Sequence, residues 1–275
     1  MSAAQLDVRT IELDLLLEAI YRRYGYDFRH YARASIRRRL EHARFREGLD
    51  SLSQVQHRLL HDVDFFERLL ADLSVNVTEM FRDPPFYQAL RTTVVPMLRD
   101  LDHLKIWHAG CATGEEVYSM AILLVEEGLY DRCRIYATDM NETVLSRARE
   151  GIFPLSRLKD YTTNYQRAGG QESFSDYYTA QYDNAVMHRA LRQNILFSDH
   201  NLAIDGVFGE MHLIMCRNVL IYFDRALQNR VLGLFADSLP GGGFLCLGLK
   251  ESLRFSAHSA SFEDLVREQR IYQRR

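Results

Sequence analysis

Two adjacent carboxylates, Glu115 and Glu116, open a helical pattern directly behind a glycine turn, within Leu104 to Met120, LKIWHAGCATGEEVYSM. The apolar run before them reads as a strand ending at Gly110, followed by a turn through Cys111-Ala112-Thr113 and a helix entered at Gly114. Glycine lets backbone approach a ligand where a Cβ would collide. The spacing is GxxxG, not the GxGxxG of a pyrophosphate cradle, and two acids at that place would repel phosphate. They suit a ligand with an amino group or a positive sulfur, and S-adenosylmethionine carries both. Thr113-x-x-Glu116 is also the spacing of a capping box, which would serve helix stability alone. One strand later, Arg134 to Thr138 runs into Asp139. An acid there can accept hydrogen bonds from both ribose hydroxyls of a nucleoside. Asp139-x-x-Glu142 has N-cap spacing as well. The glycine turn and the acid together favour a nucleoside cofactor.

Other reactive residue types carry less. Cys111, Cys133, Cys216 and Cys246 form no CxxC pair, so they read as reduced, buried thiols with no metal site. His57 and His61 are four apart without the Glu of HExxH, which reads as a solvated pair. Cys216 has no proline before it, against a cytosine-C5 nucleophile. Asp83-Pro84-Pro85-Phe86 mimics a motif of amino-methylating enzymes but follows a helical stretch, so Asp83 reads as an N-cap with Pro84 at the first helical position.

The elements that must position these groups fall into two regions. Residues 1 to about 75 read as helical, with apolar residues at helical spacing in Ile11, Leu15, Leu16, Ala19 and Ile20, and again in Phe65, Phe66, Leu69, Leu70 and Leu73. From Leu104, short apolar runs alternate with helices (LKIWHAG, RIYATD, NILFSD, HLIMCRN, FLCLGL), the signature of a parallel sheet covered on both faces. Residues 152 to 193 break that rhythm and read as an inserted antiparallel unit. The 275 residues carry 34 basic and 37 acidic side chains, a net −3, and 47% hydrophobic residues. That excludes a disordered chain and a globally basic nucleic-acid binder. The longest aliphatic stretch, Met120 to Val125, is too short to span a bilayer, and no charged-then-apolar leader opens the chain, so neither membrane insertion nor secretion is expected.

Nine arginines and only two acids, Asp27 and Glu41, lie between Tyr21 and Arg46. Arg29, Arg33 and Arg37 are four apart and would share one face of a helix. Such a face is either solvated or a docking surface for an acidic partner.

In ordered series, these segments resemble the CheR family of chemotaxis receptor glutamate methyltransferases. Asn76-Val-Thr78-Glu-Met-Phe-Arg82 is similar to the family's N-x-T-x-F-F-R, and Gly110 to Ser119 to its T-G-E-E-x-Y-S turn. Asp139, Leu145, Ala148-Arg149-x-Gly151, Asn201-Leu202, Cys216-Arg217-Asn218-Val219-Leu220-Ile221-Tyr222-Phe223 and Glu251-Ser252-Leu253 follow in order, so the resemblance runs from about residue 10 to 275. It implies a helical domain over 1–75, a connecting segment over 76–103, and a class I, Rossmann-like methyltransferase domain over 104–275 with a small antiparallel β-subdomain inserted at about 152–196. It implies S-adenosylmethionine as donor, S-adenosylhomocysteine as product, and cofactor contacts at Asn76, Thr78, Arg82, Gly110, Glu116, Asp139, Asn201, Leu202, Asn218 and Val219. Of the two adjacent acids, Glu116 aligns better. The acceptor it implies is a glutamate side chain of a chemoreceptor's cytoplasmic region, with Arg29, Arg33 and Arg37 facing it, in a cytoplasmic, monomeric enzyme that binds no nucleic acid. Three positions depart from the family: Leu249-Lys250 precedes Glu251 where Gly-His-Ser is common, no glycine lies between Phe174 and Phe197 where some members grip a receptor pentapeptide, and Met80 replaces an aromatic.

Methylating a carboxylate needs no general base, because ionised glutamate is itself the nucleophile. The enzyme must align acceptor, methyl and sulfur and exclude water. Arg82 is the choice for holding the acceptor carboxylate, since guanidinium grips carboxylate bidentately, and Tyr222 for shaping its pocket. The alternatives are a methyltransferase acting on RNA or a small molecule, and a cofactor-binding regulator without turnover.

Overall fold

A computed structural model describes residues 7–74 and 78–275. The chain divides into two compact units, one built from residues up to 75 with 221–231, the other from 76–220 with 232–275.

The first unit holds α1 (Val8–Tyr24), α2 (Arg33–Arg46), α3 (Leu52–His61) and α4 (Val63–Leu73). Two starts are side-chain capped: Ser51 accepts from Gln54 N and Asp62 from Phe65 N. Helix α4 buries the apolar set the spacing indicates, Phe65, Phe66, Leu69, Leu70 and Leu73. Helix α1 is rotated from the expected face. It buries Leu13, Leu16, Leu17 and Ile20, an i, i+3, i+4, i+7 set of large aliphatics, and leaves Ile11 and Leu15 exposed. The Tyr24 ring at its end stacks on Phe66 at 3.6 Å between centroids.

Residues 221–231 join this unit, although the sequence reading placed them in the sheet domain. The reason is local pairing: Tyr31 bridges Phe223, Ala32 N donates to Tyr222 O at 2.7 Å, and His30 Nδ1 lies 3.0 Å from Asp224 Oδ2.

The second unit begins with α5 (Pro84–Ala89), a π-helical stretch over Leu90–Val94 and α6 (Val95–Leu98). Then come β1 (Leu104–Ala109), α7 (Glu115–Glu126), β2 (Cys133–Asp139), α8 (Glu142–Glu150), β3 (Ile152–Pro154), α9 (Leu158–Arg167), β4 (Tyr178–Gln181), β5 (Asn184–Met187), β6 (Ile195–Asp199), β7 (Leu213–Cys216), α10 (Arg225–Ser238, entering from residue 232), β8 (Phe244–Leu247), β9 (Phe262–Val266) and β10 (Ile271–Arg274). Seven strands form one sheet in the order β6-β2-β1-β7-β8-β10-β9, parallel except for β10, which runs against both neighbours. Central strands are buried along nearly their whole length because both faces are covered. Ile106 and Ile135 face α7, while Trp107 meets Phe235 of α10. Strands β3, β5 and β4 make a separate antiparallel sheet, whose β4–β5 hairpin turns at Tyr182-Asp183 with Tyr182 at φ 51°. No helix among the described residues is long and apolar enough to cross a membrane.

A buried polar hub fastens the inserted sheet to α7. Glu126 accepts from the hydroxyls of Tyr165 and Tyr177, from Gln171 N and from Arg91. Burial acts to raise its pKa, and Tyr165, Gln171 N and Arg91 outweigh that and hold it ionised below the usual carboxylate range. Tyr165→Phe removes the hydroxyl that also accepts from Glu172 N at 2.9 Å. It should lower unfolding free energy by about 1–3 kcal/mol. Denaturant titration checks this, with an unchanged m-value expected.

Candidate active site

The sheet order reverses at β1. From there β2 and β6 continue to one side and β7 and β8 to the other, which opens a crevice outside the carboxyl ends of β1 and β7. Six of the ten sequence-nominated cofactor residues sit at such strand ends: Gly110 after β1, Asp139 closing β2, Asn201 and Leu202 after β6, and Asn218 and Val219 after β7. Thr78 and Arg82 come from the segment before α5, and Asn76 lies outside the described residues.

Gly110, at φ 81°, donates its N–H to Thr138 O at 2.8 Å, which ties the β1 turn to β2. A Cβ there would lie 2.6 Å from Val219 Cγ2, so glycine is what lets the β1 and β7 turns close on each other. Ala112 takes φ 48° and donates its N–H to Asp139 Oδ2 at 3.0 Å, and Asn141 N donates to Oδ1 at 3.0 Å. Asp139 is therefore held by backbone and is not a helix cap. Asn141 caps α8 instead, accepting from Thr143 N at 3.0 Å. Burial pushes the Asp139 carboxyl up, against those backbone donors. Its oxygens retain lone pairs beyond the bonds they make, as a ribose contact requires.

The capping-box reading of Thr113 and Glu116 is corrected. Gly114, at φ 92°, is the N-cap of α7, and Thr113 Oγ1 donates to Glu115 Oε2 at 2.6 Å. The two acids separate in role. Glu115 is enclosed with Thr113 and Tyr161, and burial raises its pKa. Glu116 carries the site's anionic charge. Burial acts to raise its pKa, but His108 Nδ1 at 3.1 Å and Arg217 Nη1 at 3.0 Å outweigh it and hold the carboxylate below the glutamate range.

Arg217 is the residue that sequence reasoning passed over inside its own motif. Its side chain is 1% exposed. It pairs with Glu116 and with Asp83 Oδ2 at 2.7 Å, donates to Arg82 O at 3.3 Å, and lies over Phe86 at 3.9 Å. Asp83 occupies the N-cap position of α5 as expected, with Pro84 first in the helix, but its carboxylate goes to Arg217 and caps nothing. Phe81 and Asp83 both have positive φ, 52° and 59°, so the Arg82 loop is strained on either side. Phe81 N donates to the buried Ser119 Oγ at 2.9 Å. Met80, the replaced aromatic, is fully buried in the same core. The guanidinium of Arg82 makes no hydrogen bond or ion pair with any described residue.

Glu251 is the second residue whose role the sequence did not disclose. It is 4% exposed, and its Oε2 accepts from Asn218 N at 2.9 Å and Gly248 N at 2.6 Å. This holds Asn218 at φ 62° and joins the Leu249-Lys250 turn to the β7 loop. Asn201 Oδ1 accepts from Ala203 N at 3.0 Å, which shapes the loop that buries Leu202. The set fits a nucleoside cofactor: glycine-closed turns, a backbone-held acid at the second strand, and an ionised acid at the head of α7.

Tyr222 and the three basic residues belong to the first unit. Tyr222 has Arg39 5.3 Å from its ring centroid. Arg29, Arg33 and Arg37 do not share a helical face. Gly25 ends α1 in left-handed conformation, and Arg29 sits in the following loop, gripped by both oxygens of Asp27 and by Glu18. Arg33 pairs with Asp14, and Arg37 donates to Thr10 Oγ1 at 3.1 Å, so both turn toward α1.

Two outcomes are expected. Gly110→Ala should weaken S-adenosylhomocysteine binding by about tenfold to a hundredfold, the cost of strain at positive φ and of the Val219 contact. Calorimetry reads this, and adding Val219→Ala should restore the part due to the contact. Arg217→Met should cost about 3–5 kcal/mol by leaving Asp83 unpaired and Glu116 with His108 alone. Because the Glu116 pKa is lowered on folding, its contribution is present above the ordinary glutamate pKa and lost as pH falls through the lowered value. Glu116→Gln should therefore flatten the acid limb of the stability profile below about pH 4.3.

The profile of the CheR methyltransferase SAM binding domain matches residues 76–269, and that of the CheR methyltransferase all-alpha domain matches residues 11–74. A putative methyltransferase Cher3 of Pseudomonas putida is 54% identical over 264 residues, spanning 96% of this chain and 97% of its own. A chemotaxis protein methyltransferase of Salmonella typhimurium is 29% identical across 92% of this chain and 84% of its own, and one of Borreliella burgdorferi is 27% identical across 90% of each. Among solved structures, the N-methyltransferase NodS of Bradyrhizobium japonicum with S-adenosyl-L-homocysteine covers 62% of each chain at 16% identity and a TM-score of 0.35, too remote to bear on the site. With a strand-end site for a nucleoside cofactor and both domain profiles matched in order, the chain belongs to the CheR family of S-adenosylmethionine-dependent chemotaxis methyltransferases.

Proposed function

We propose that the protein methylates glutamate side-chain carboxylates on chemoreceptors, in the adaptation branch of chemotaxis-type signalling, as a cytoplasmic monomer. The observation that carries the reading is Arg82. It stands on a strained loop anchored by Arg217 and Ser119, and its guanidinium has no partner among the described residues. S-adenosylmethionine supplies a sulfonium-bound methyl and leaves as S-adenosylhomocysteine. Arg82 would orient the acceptor carboxylate, whose ionised oxygen is the nucleophile, so the absence of a dedicated base is consistent. A grip too tight would stabilise the ground state, and a half-buried guanidinium avoids that better than a fully enclosed one. Asp139 would hold the ribose, Glu116 the cofactor's amino-acid end, and Asn76, Thr78, Asn201, Leu202, Asn218 and Val219 the remaining contacts.

Docking is assigned to the outer face of α2. Arg29, Arg33 and Arg37 are engaged within the helical unit, Arg33 and Arg37 tying α2 to α1. Arg38 is exposed and unpaired among the described residues, with His42 and the 82% exposed Phe45 on the same face. We further propose that no receptor pentapeptide is gripped. The β4–β5 hairpin has a two-residue turn without glycine, which supports an untethered enzyme.

The test is transfer of radiolabelled methyl to receptor cytoplasmic fragments from the same source, with and without their C-terminal residues. Base-labile label that survives tail removal and is lost in Arg82→Ala is the expected result. Cofactor binding by calorimetry without any label on those fragments would overturn receptor methylation. Label that depends on the tail would overturn the untethered reading.

A further inference from the structure

One charged cleft of the sheet unit lies apart from the residues assigned so far. Leu249, Arg254, Arg267, Glu268 and Arg270 line a hollow of about 440 Å³, within the range of ligand-binding pockets. A second hollow, of about 280 Å³, is lined by Ser252, Leu253, Arg254, Phe262, Glu263, Asp264, Arg270, Tyr272 and Arg275 among others. Arg254 and Arg270 line both, so the two form one furrow. Arg254 and Arg267 are exposed, and neither they nor Arg270 makes an ion pair with any described residue. Arg270 spends only its Nε, on Leu249 O at 3.4 Å. Phe255, at φ 68° and 98% exposed, stands beside Arg254 in the chain.

We propose that this furrow binds an extended acidic segment of a protein, and that in the methyl-transfer reaction it is a second recognition site for the acceptor, which rests on the receptor reading above. The length argues for a chain over a single anion. The lining argues for peptide over nucleic acid. Glu263, Asp264 and Glu268 stand among the arginines, where a phosphate at every residue of RNA would meet them, while a peptide can space its acids. Leu249, 41% exposed, and Phe255 offer apolar surface to the side chains between those acids. The furrow also reaches the cofactor site. Leu249 and Lys250 form the turn between Gly248 and Glu251, and Glu251 fixes Asn218. This gives the Leu249-Lys250 departure a role in acceptor choice.

The test uses the full chain and R254E/R267E. A fluorescein-labelled peptide of alternating glutamate and leucine is titrated by anisotropy, with an oligouridylate in parallel and S-adenosylhomocysteine binding as the check of folding. The expected result is saturable peptide binding that falls on the order of tenfold in the variant and weakens with salt. With receptor fragments, the variant should raise KM while kcat is retained. Equal peptide affinity in both proteins, or tighter oligouridylate binding that is lost in the variant, overturns the proposal. Peptide binding that responds to the substitutions while no receptor fragment is methylated upholds the furrow and counts against the receptor reading.

Discussion

Burying a guanidinium costs several kcal/mol unless its charge and its donors are matched, and that constraint organises the sheet unit around Arg217. Glu116 at the head of α7 and Asp83 before α5 supply the opposite charge, and the face of Phe86 supplies the rest of the surface. Because those partners come from two segments distant from Arg217 in the chain, pairing its two Nη groups fixes the β7 loop, the start of α7 and the Arg82 loop together. The ionised state of Glu116 follows from the same matching, since it is proximity to Arg217 and His108 that overcomes desolvation.

Strain is gathered where those segments meet. Among the described residues seven non-glycine residues have positive φ, and four of them (Phe81, Asp83, Ala112 and Asn218) lie in the loops of the candidate site. Each is held by a bond to something rigid: Ser119 for Phe81, Arg217 for Asp83, Asp139 for Ala112, Glu251 for Asn218. Unfavourable backbone persists only where its surroundings over-determine it. The loops thus stand preorganised at the strand ends, which is what alignment of a displacement reaction demands.

The alternation of short apolar runs and helices made the parallel sheet legible, and Gly110, Asp139 and Asn218 fell where motif spacing placed them. What spacing could not convey was pairing between distant segments. Thr113-x-x-Glu116 has the letters of a capping box, yet Gly114 caps the helix because Arg217, a hundred residues on, claims Glu116. Arg29, Arg33 and Arg37 share a period that a helix would have aligned, but Gly25 and the Asp27 grip keep Arg29 out of the helix. Likewise Ile11 and Leu15 have helical spacing, but the better-packed i, i+3, i+4, i+7 set from Leu13 to Ile20 decided which face turned inward. The first of these turned on a long-range partner, the other two on local geometry that residue spacing alone does not encode.

The helical unit is not one uninterrupted stretch of chain, since residues 221–231 fold with it through Tyr31, Ala32 and His30. Helix α10 consequently begins in one unit and ends in the other. A module of that kind cannot be moved between genes by a single crossover, because its closing segment is encoded some 150 residues downstream, immediately after Asn218 and Val219. Recombination that exchanged only the leading helices would pair them with a foreign closing segment. The two units are thereby inherited as one, and substitutions in the leading helices are constrained by a segment encoded far downstream of them.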